Sequence, residues 1–236
     1  MKSKAVEYTL LGVGVTASLG LIFHNQIGTL MIKTYKPTVT QKMVAKAKTA
    51  KANYDWKSVK SLTAQEMINA RLHAGKLRYI GMVSVPEIGL SLPISKGVND
   101  IALTFGAGTL YPDQEMGKNN YSLASHFVQG SSNKKVLFSP IYYEGKTGQH
   151  MYLTDMSKIY SYQATSVKVV QPTAVEVTYN QPNKNQLTLI TCDYTAERGR
   201  VVMQGDLKQV YTWHDAPKEI RDSFSRTNEW HKSWTA

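Results

Sequence analysis

From residue 77 onward, short runs rich in valine, isoleucine, tyrosine and threonine recur along the chain, separated by Gly, Pro, Asn and Asp. They fall at residues 77–85, 89–94, 120–127, 159–170, 186–192, 200–207 and 209–213. Short strands at regular spacing, punctuated by turn formers, predict an all-β sandwich or barrel. Pro93 and Pro172 sit at the ends of runs, where a strand tolerates a missing amide hydrogen.

Upstream the pattern is helical. Thr63-Ala64-Gln65-Glu66 fits a capping box, in which hydroxyl and carboxylate each satisfy an amide at a helix start. It predicts a helix from Ala64 to about Leu72, ended near Gly75. Residues 40–51, rich in Lys and Ala, predict a solvated helix. After Ala216-Pro217 the tail turns helical and charged, with Ile220, Phe224, Trp230 and Trp234 loosely periodic.

Residues 8–23 carry no charge and follow Lys2 and Lys4. A membrane-spanning helix needs about 20 apolar residues. The chain stays uncharged through Ile32, so a tilted span is completed. The expectation is an N-terminal transmembrane anchor over residues 1–32, with Lys2 and Lys4 inside and the body outside the cell. A cleaved signal peptide is the alternative, because Ala17-Ser18-Leu19 offers small residues; no A-x-A site closes the run. The expected divisions are then a basic, helical juxtamembrane spacer at 33–75, a barrel at 76–213 and a helical tail at 214–236.

The net charge of +11 requires an anionic counterpart. Lys42, Lys46, Lys48, Lys51, Lys57 and Lys60 cluster close behind the apolar N-terminus, which favours a membrane surface or cell-wall matrix. No nucleic-acid motif with aromatic interleaving accompanies them. The one cysteine, Cys192, excludes a disulfide framework and a zinc site built on several thiolates. A lone cysteine is ordinarily a small buried hydrophobe. In an exported protein it meets oxidants, so it requires burial or a role.

Catalysis by one thiol needs a base or ion-pair partner and a group that stabilises an oxyanion. The histidines are His24, His73, His126, His150, His214 and His231. Only His126 ends an apolar strand, after Tyr121-Ser122-Leu123-Ala124-Ser125, and Cys192 likewise ends a strand. Arg200 opens the next run, and residues 193–199 are long enough for a hairpin loop that sets it beside Cys192. Spacing does not separate Arg198 from Arg200, although Arg200-Val201-Val202-Met203 puts Arg200 on the strand itself. Spacing alone also fits a core Cys192, a surface His126 and a solvated Arg200.

Three motifs in order add to this. Thr188-Leu189-Ile190-Thr191-Cys192 matches the T-L-x-T-C signature of sortases. Leu123-Ala124-Ser125-His126 resembles the segment carrying their catalytic histidine, and Arg200 with Val201-Val202-Met203-Gln204-Gly205 resembles their arginine strand. Val85-Pro86-Glu87-Ile88-Gly89-Leu90-Ser91-Leu92-Pro93-Ile94 and Gly106-Ala107-Gly108-Thr109-Leu110 also read as sortase, class A in particular. The resemblance covers residues 77–213.

It implies an eight-stranded sortase-type β-barrel with short helices, and a cysteine transpeptidase. Cys192 would cleave an L-P-x-T-G sorting signal between Thr and Gly through a thioacyl enzyme. His126 would move the protons, and Arg200 would position substrate and stabilise the oxyanion. The partners implied are surface proteins bearing the signal, the amine of a lipid-linked cell-wall precursor, and the membrane, with no nucleic acid. The loop at 171–186, with Pro172, Val175 and Val177, would close on the Leu-Pro portion. Ala124 and Ser125 would floor the groove, and Thr191 would brace it. Some class A members bind calcium near this loop; here Glu176, Asp100, Asp113 and Glu115 make no spaced ligand cluster, so no metal and no other cofactor is expected. The competing readings are an anchored cysteine hydrolase that uses water, and a non-catalytic barrel that binds wall polymers through its basic face.

Overall fold

The computed structural model describes residues 2–55, 59, 62–194 and 199–225. Helices α1 (Lys2–Ile22), α2 (His24–Lys33), α3 (Gln41–Lys48) and α4 (Ala64–His73) precede the first strand. Strands β1 (Tyr79–Val85) and β2 (Leu90–Ser95) lead to helix α5 (Asp100–Phe105), then to β3 (Ala107–Thr109) and β4 (Asn120–Ala124). Helix α6 (Ser139–Glu144) precedes β5 (His150–Thr154), β6 (Lys158–Val170), β7 (Gln186–Cys192) and β8 (Arg200–Thr212). Helix α7 (Lys218–Ser225) packs back on β1 and β2. Of the residues named above from the sequence, Lys57, Lys60, Arg198, Trp230, His231 and Trp234 lie outside the described ones.

The strands close a barrel in the order β1-β2-β3-β4-β7-β8-β6-β5. Neighbours β2–β3 and β4–β7 run parallel, and the other pairs antiparallel. Side chains alternate between faces along a strand. Leu187 and Leu189 of β7 are therefore buried in the barrel with Leu123, Val201 and Met203, while Thr188, Ile190 and Cys192 face outward. The runs at 200–207 and 209–213 are one strand, because Lys208 is the extra residue of a bulge between the pairs Tyr162↔Leu207 and Ser161↔Gln209. The sequence reading lacks β3, which has only three residues, and β5, which begins at His150.

The predicted helix at 64 forms, with the Thr63 hydroxyl accepting from the Glu66 amide at 3.2 Å. The N-terminal segment departs from expectation. Among the described residues no single helix is long and apolar enough to cross a membrane, and α1 and α2 meet at a 67° bend. Tertiary packing sets that bend. Helix α2 lies on α4 and buries Gly28, Thr29 and Ile32. Gly28 approaches so closely that a Cβ there would stand 2.7 Å from the Met67 sulfur. Residues between α2 and β1 brace the barrel: Tyr35 Oη meets Tyr79 Oη at 2.8 Å, and the Val98 amide donates to Asn53 O at 2.7 Å.

The segment between β6 and β7 folds as a 3-10 turn, Val175–Thr178, over the outer face of β4, β7 and β8. Asn120 holds it. Its Nδ2 donates to Val177 O at 3.0 Å and Tyr179 O at 3.1 Å, and its Oδ1 accepts from Thr188 Oγ1 at 2.7 Å. Gln204 Nε2 donates to Val177 O as well, at 3.0 Å. Asn120 is buried, so truncation strands several partners. Asn120→Ala is expected to cost about 2 kcal/mol of stability in urea unfolding. A loss near zero would show that the loop is held elsewhere.

Candidate active site

The register of three strands assembles the site. β4 and β7 pair in parallel from Asn120↔Gln186 to Ala124↔Ile190, and the Ser125 amide continues the ladder to Ile190 O at 3.2 Å. β7 and β8 pair from Gln186↔Asp206 to Cys192↔Arg200. On the outward face this alternation makes three successive rows: Ser122, Thr188 and Gln204; Ala124, Ile190 and Val202; and Cys192 with Arg200, with His126 two residues past Ala124, beyond the end of β4. The first row lies under the Val175–Thr178 turn, where Ser122 Oγ donates to Thr178 O at 3.5 Å. The second is an apolar floor. The third holds the thiol and the guanidinium, and Cys192, Arg200 and His126 are all partly buried.

The structure thus pairs Cys192 with Arg200 next to Ala124, and His126 follows Ala124 by two residues at the same end of the neighbouring strand. Val177 is partly buried at the far end of the floor, and Val175 and Pro172 are exposed on the same loop. Ser125 and Thr191 do not open on this face, because each lies one position out of phase with it. Ser125 is buried and donates to Gly106 O at 2.7 Å, and the Thr191 hydroxyl is buried without a hydrogen-bond partner. Val202 and Gln204 belong to the face but were missing from the sequence reading; counting by twos from Arg200 finds them. Val59, from the segment before α4, packs on the floor's edge among Val98, Leu103, Leu110, Ala124 and Ile190. Among the described residues no group of three or more His, Cys, Asp or Glu side chains could hold a metal ion.

The loop after β7 is tightly drawn. The Asp193 amide donates to Gly199 O at 3.2 Å, and Arg200 Nη1 donates to the same carbonyl at 2.9 Å. A Cβ on Gly199 would fall 2.5 Å from the Asp193 carboxylate, so a larger residue there would displace that side chain. Burial dominates the electrostatics. It lowers His126 to about 4, with the Asp100 charge pulling weakly the other way. It raises the Cys192 thiol, opposed by Arg200 and reinforced by Asp193. The resting pair is therefore neutral thiol and neutral imidazole, with one cation beside the sulfur.

Residues 83–208 match the family described as Sortase domain. The chain is 35% identical over 228 residues to "Sortase A" of Streptococcus agalactiae, covering 94% of this chain and 92% of that one. It is 32% identical over 215 residues to "Sortase A" of Listeria monocytogenes, covering 89% and 93%. The crystal structure of Listeria monocytogenes sortase A superposes with a TM-score of 0.56 at 36% identity, over 62% of this chain and 97% of that one.

Two titrations follow from the electrostatics. His126 is depressed from 6.5 to about 4, so in that window the unfolded chain binds a proton that the folded chain does not. Stability therefore rises with pH between these values, and urea midpoints should show a shallower rise in His126→Gln. Equal slopes would refute a buried neutral imidazole. Arg200 favours the thiolate, so Arg200→Met should move the pH profile of Cys192 alkylation upward. An unmoved profile would mean that its charge does not reach the sulfur.

Proposed function

The chain belongs to the sortase family of cysteine transpeptidases, and on that premise we propose that it cleaves an L-P-x-T-G-type signal between Thr and Gly. The new carboxyl end is then joined to the amine of a cell-wall precursor. The observation that carries this reading is the pairing of Cys192 with Arg200 at the end of an apolar floor, with His126 following the end of the neighbouring parallel strand. The Leu-Pro portion lies along Ala124, Ile190 and Val202 under the β6–β7 loop, and the Thr carbonyl reaches Cys192.

The steps follow from the neutral resting pair. The thiol proton passes to His126 as Sγ attacks the Thr carbonyl carbon. Arg200 offers fixed N–H donors to the oxyanion, and its charge offsets the burial cost of both the thiolate and the oxyanion. Collapse breaks the C–N bond, and the imidazolium protonates the leaving glycine amine. A thioester remains on Cys192. The incoming amine attacks it, His126 takes the amine's proton, and the thiolate leaves and is reprotonated. The thioester conserves the energy of the cleaved amide, so no nucleotide is consumed.

Membrane attachment belongs to the same proposal. Helix α1 is exposed along nearly its whole length, including Leu10, Leu11, Val13, Val15, Leu19, Leu21 and Ile22, and it carries no charge after Glu7. Lipid is the solvent that suits such a surface. The catalytic body then sits outside the cell, held against the membrane by α2 docked on α4.

The test is incubation of the full-length protein with an L-P-x-T-G peptide, with and without triglycine. Cleavage without amine and ligation with it are expected. Cys192→Ala should lose both by at least about a thousandfold. Arg200→Met should lose about a hundredfold in kcat/KM, with Arg200→Lys restoring little of it. Absence of cleavage in the wild type would sink the reading, and cleavage that never ligates would make the protein a hydrolase.

A further inference from the structure

Helix α2 turns its small residues inward and its large apolar ones outward. Its buried residues are Gly28, Thr29 and Ile32, and Gly28 lies against Met67 and Ala64 of α4. On the opposite side, Phe23 at its N-terminal cap, Ile27 and Leu30 stand at i, i+4 and i+7, which makes one stripe. They are 48%, 39% and 59% exposed. Two constraints fix where such a helix can lie. It cannot enter hydrocarbon, because α4, packed on its inner side, carries Gln65, Glu66, Asn69 and Arg71. It cannot stand far from hydrocarbon either, because the apolar α1 ends at Ile22, directly before Phe23. A spanning helix stands on average about 20° from the membrane normal. The 67° bend after α1 therefore lays α2 down toward the membrane plane. The charges agree with this placement. No Asp or Glu occurs between Glu7 and Asp55, whereas Lys33, Lys36, Lys42, Lys46, Lys48 and Lys51 do. Lys33 and Lys48 donate within the protein, to Ser132 O at 3.1 Å and to Asp155 at 3.3 Å. Lys36, Lys42, Lys46 and Lys51 are exposed.

We propose that α2 is an interfacial helix: Phe23, Ile27 and Leu30 sink into the boundary between headgroups and acyl chains, and the lysines that follow bind anionic phospholipid headgroups. This deepens the membrane attachment proposed above and rests on it. An apolar stripe joined to cations is the pattern by which a helix lies on a bilayer, buried about 5–10 Å at the headgroup boundary. An anionic wall polymer would satisfy the lysines, but it offers no hydrocarbon to the stripe. The consequence is orientation. Helix α2 is pinned to the body by Gly28 against Met67 and, at its C-terminal end, by Lys33 on Ser132 O in the segment after β4. A helix so pinned and laid on lipid fixes which face of the barrel looks toward the membrane. A tether of the same length would fix only the distance.

The depth of labelled positions in a bilayer tests this. The full-length Cys192→Ala protein has no other thiol. Val13→Cys, Ile27→Cys or Leu30→Cys is added to it, labelled with an environment-sensitive fluorophore and reconstituted in mixed phosphatidylglycerol–phosphatidylcholine vesicles. The quenchers are a lipid spin label near the glycerol, one near the chain end, and aqueous iodide. At positions 27 and 30 the shallow label is expected to quench at least about twofold more than the deep one. At position 13 the deep label should dominate. Vesicles of phosphatidylcholine alone should lower the shallow quenching at 27 and 30 by about half and leave position 13 unchanged. Free access of iodide to 27 and 30, with position 13 still deep, would overturn the proposal and leave the anchor standing. Deep quenching at 27 and 30 would also overturn it, by placing α2 within the span. So would protection from every quencher together with disulfide cross-linking of copies through Leu30→Cys, which would give the face to a second copy. Indifference to lipid charge would overturn the headgroup contact. Iodide reaching position 13 would refute the membrane reading itself, and is told apart by that position.

Discussion

The parallel pairing of β4 with β7 is the constraint on which the rest depends. Strands 66 residues apart at Asn120↔Gln186 run in the same direction, so their C-terminal ends come out on one edge. His126 follows one end and Cys192 is the other. Antiparallel β8 then starts where β7 stops, which puts Arg200 opposite the thiol. A shift of one residue in either register would turn one partner to the barrel interior. The buried Leu123, Leu187, Leu189, Val201 and Met203 oppose that shift, because a slip would turn those of the shifted strand outward. Packing inside the barrel thereby fixes the chemistry outside it.

Electrostatically the site is governed by burial, opposed by Asp100 at His126 and by Arg200 at Cys192. Both the thiol and the imidazole are pushed toward their neutral forms, and Arg200 is the group that draws the thiol the other way. Asp193 sits on the wrong side of that balance. Its place is explained by geometry, since its backbone amide closes the loop that also receives the Arg200 guanidinium at Gly199 O.

Much of the site was legible in the sequence. Cys192 and His126 each end an apolar run, and a strand end is a rigid position that can face solvent. The floor was read less well. The resemblance put Ser125 on the floor beside Ala124, whereas the pleat sends neighbours to opposite faces. Val202 and Gln204 obey the pleat and were passed over. Val59 lies far from the site in sequence and was invisible to local pattern. The bend between α1 and α2 was equally hidden, because hydropathy reports the apolar character of a run and not its direction. That direction is set by Gly28 meeting Met67 across two helices. Strand β3 was too short to carry a pattern of its own.

The order of the strands also has a consequence in time. Neighbours β4 and β7 are separated in the chain by β5 and β6, and β8 must fit between β7 and β6 before the barrel closes. Non-local pairings of this kind form late, because the chain must close long loops before they are rewarded. The nucleophile comes from the next-to-last strand and its cation from the last. A chain still being made therefore holds no assembled site: Cys192 meets Arg200 only when the strand that completes the fold is in place.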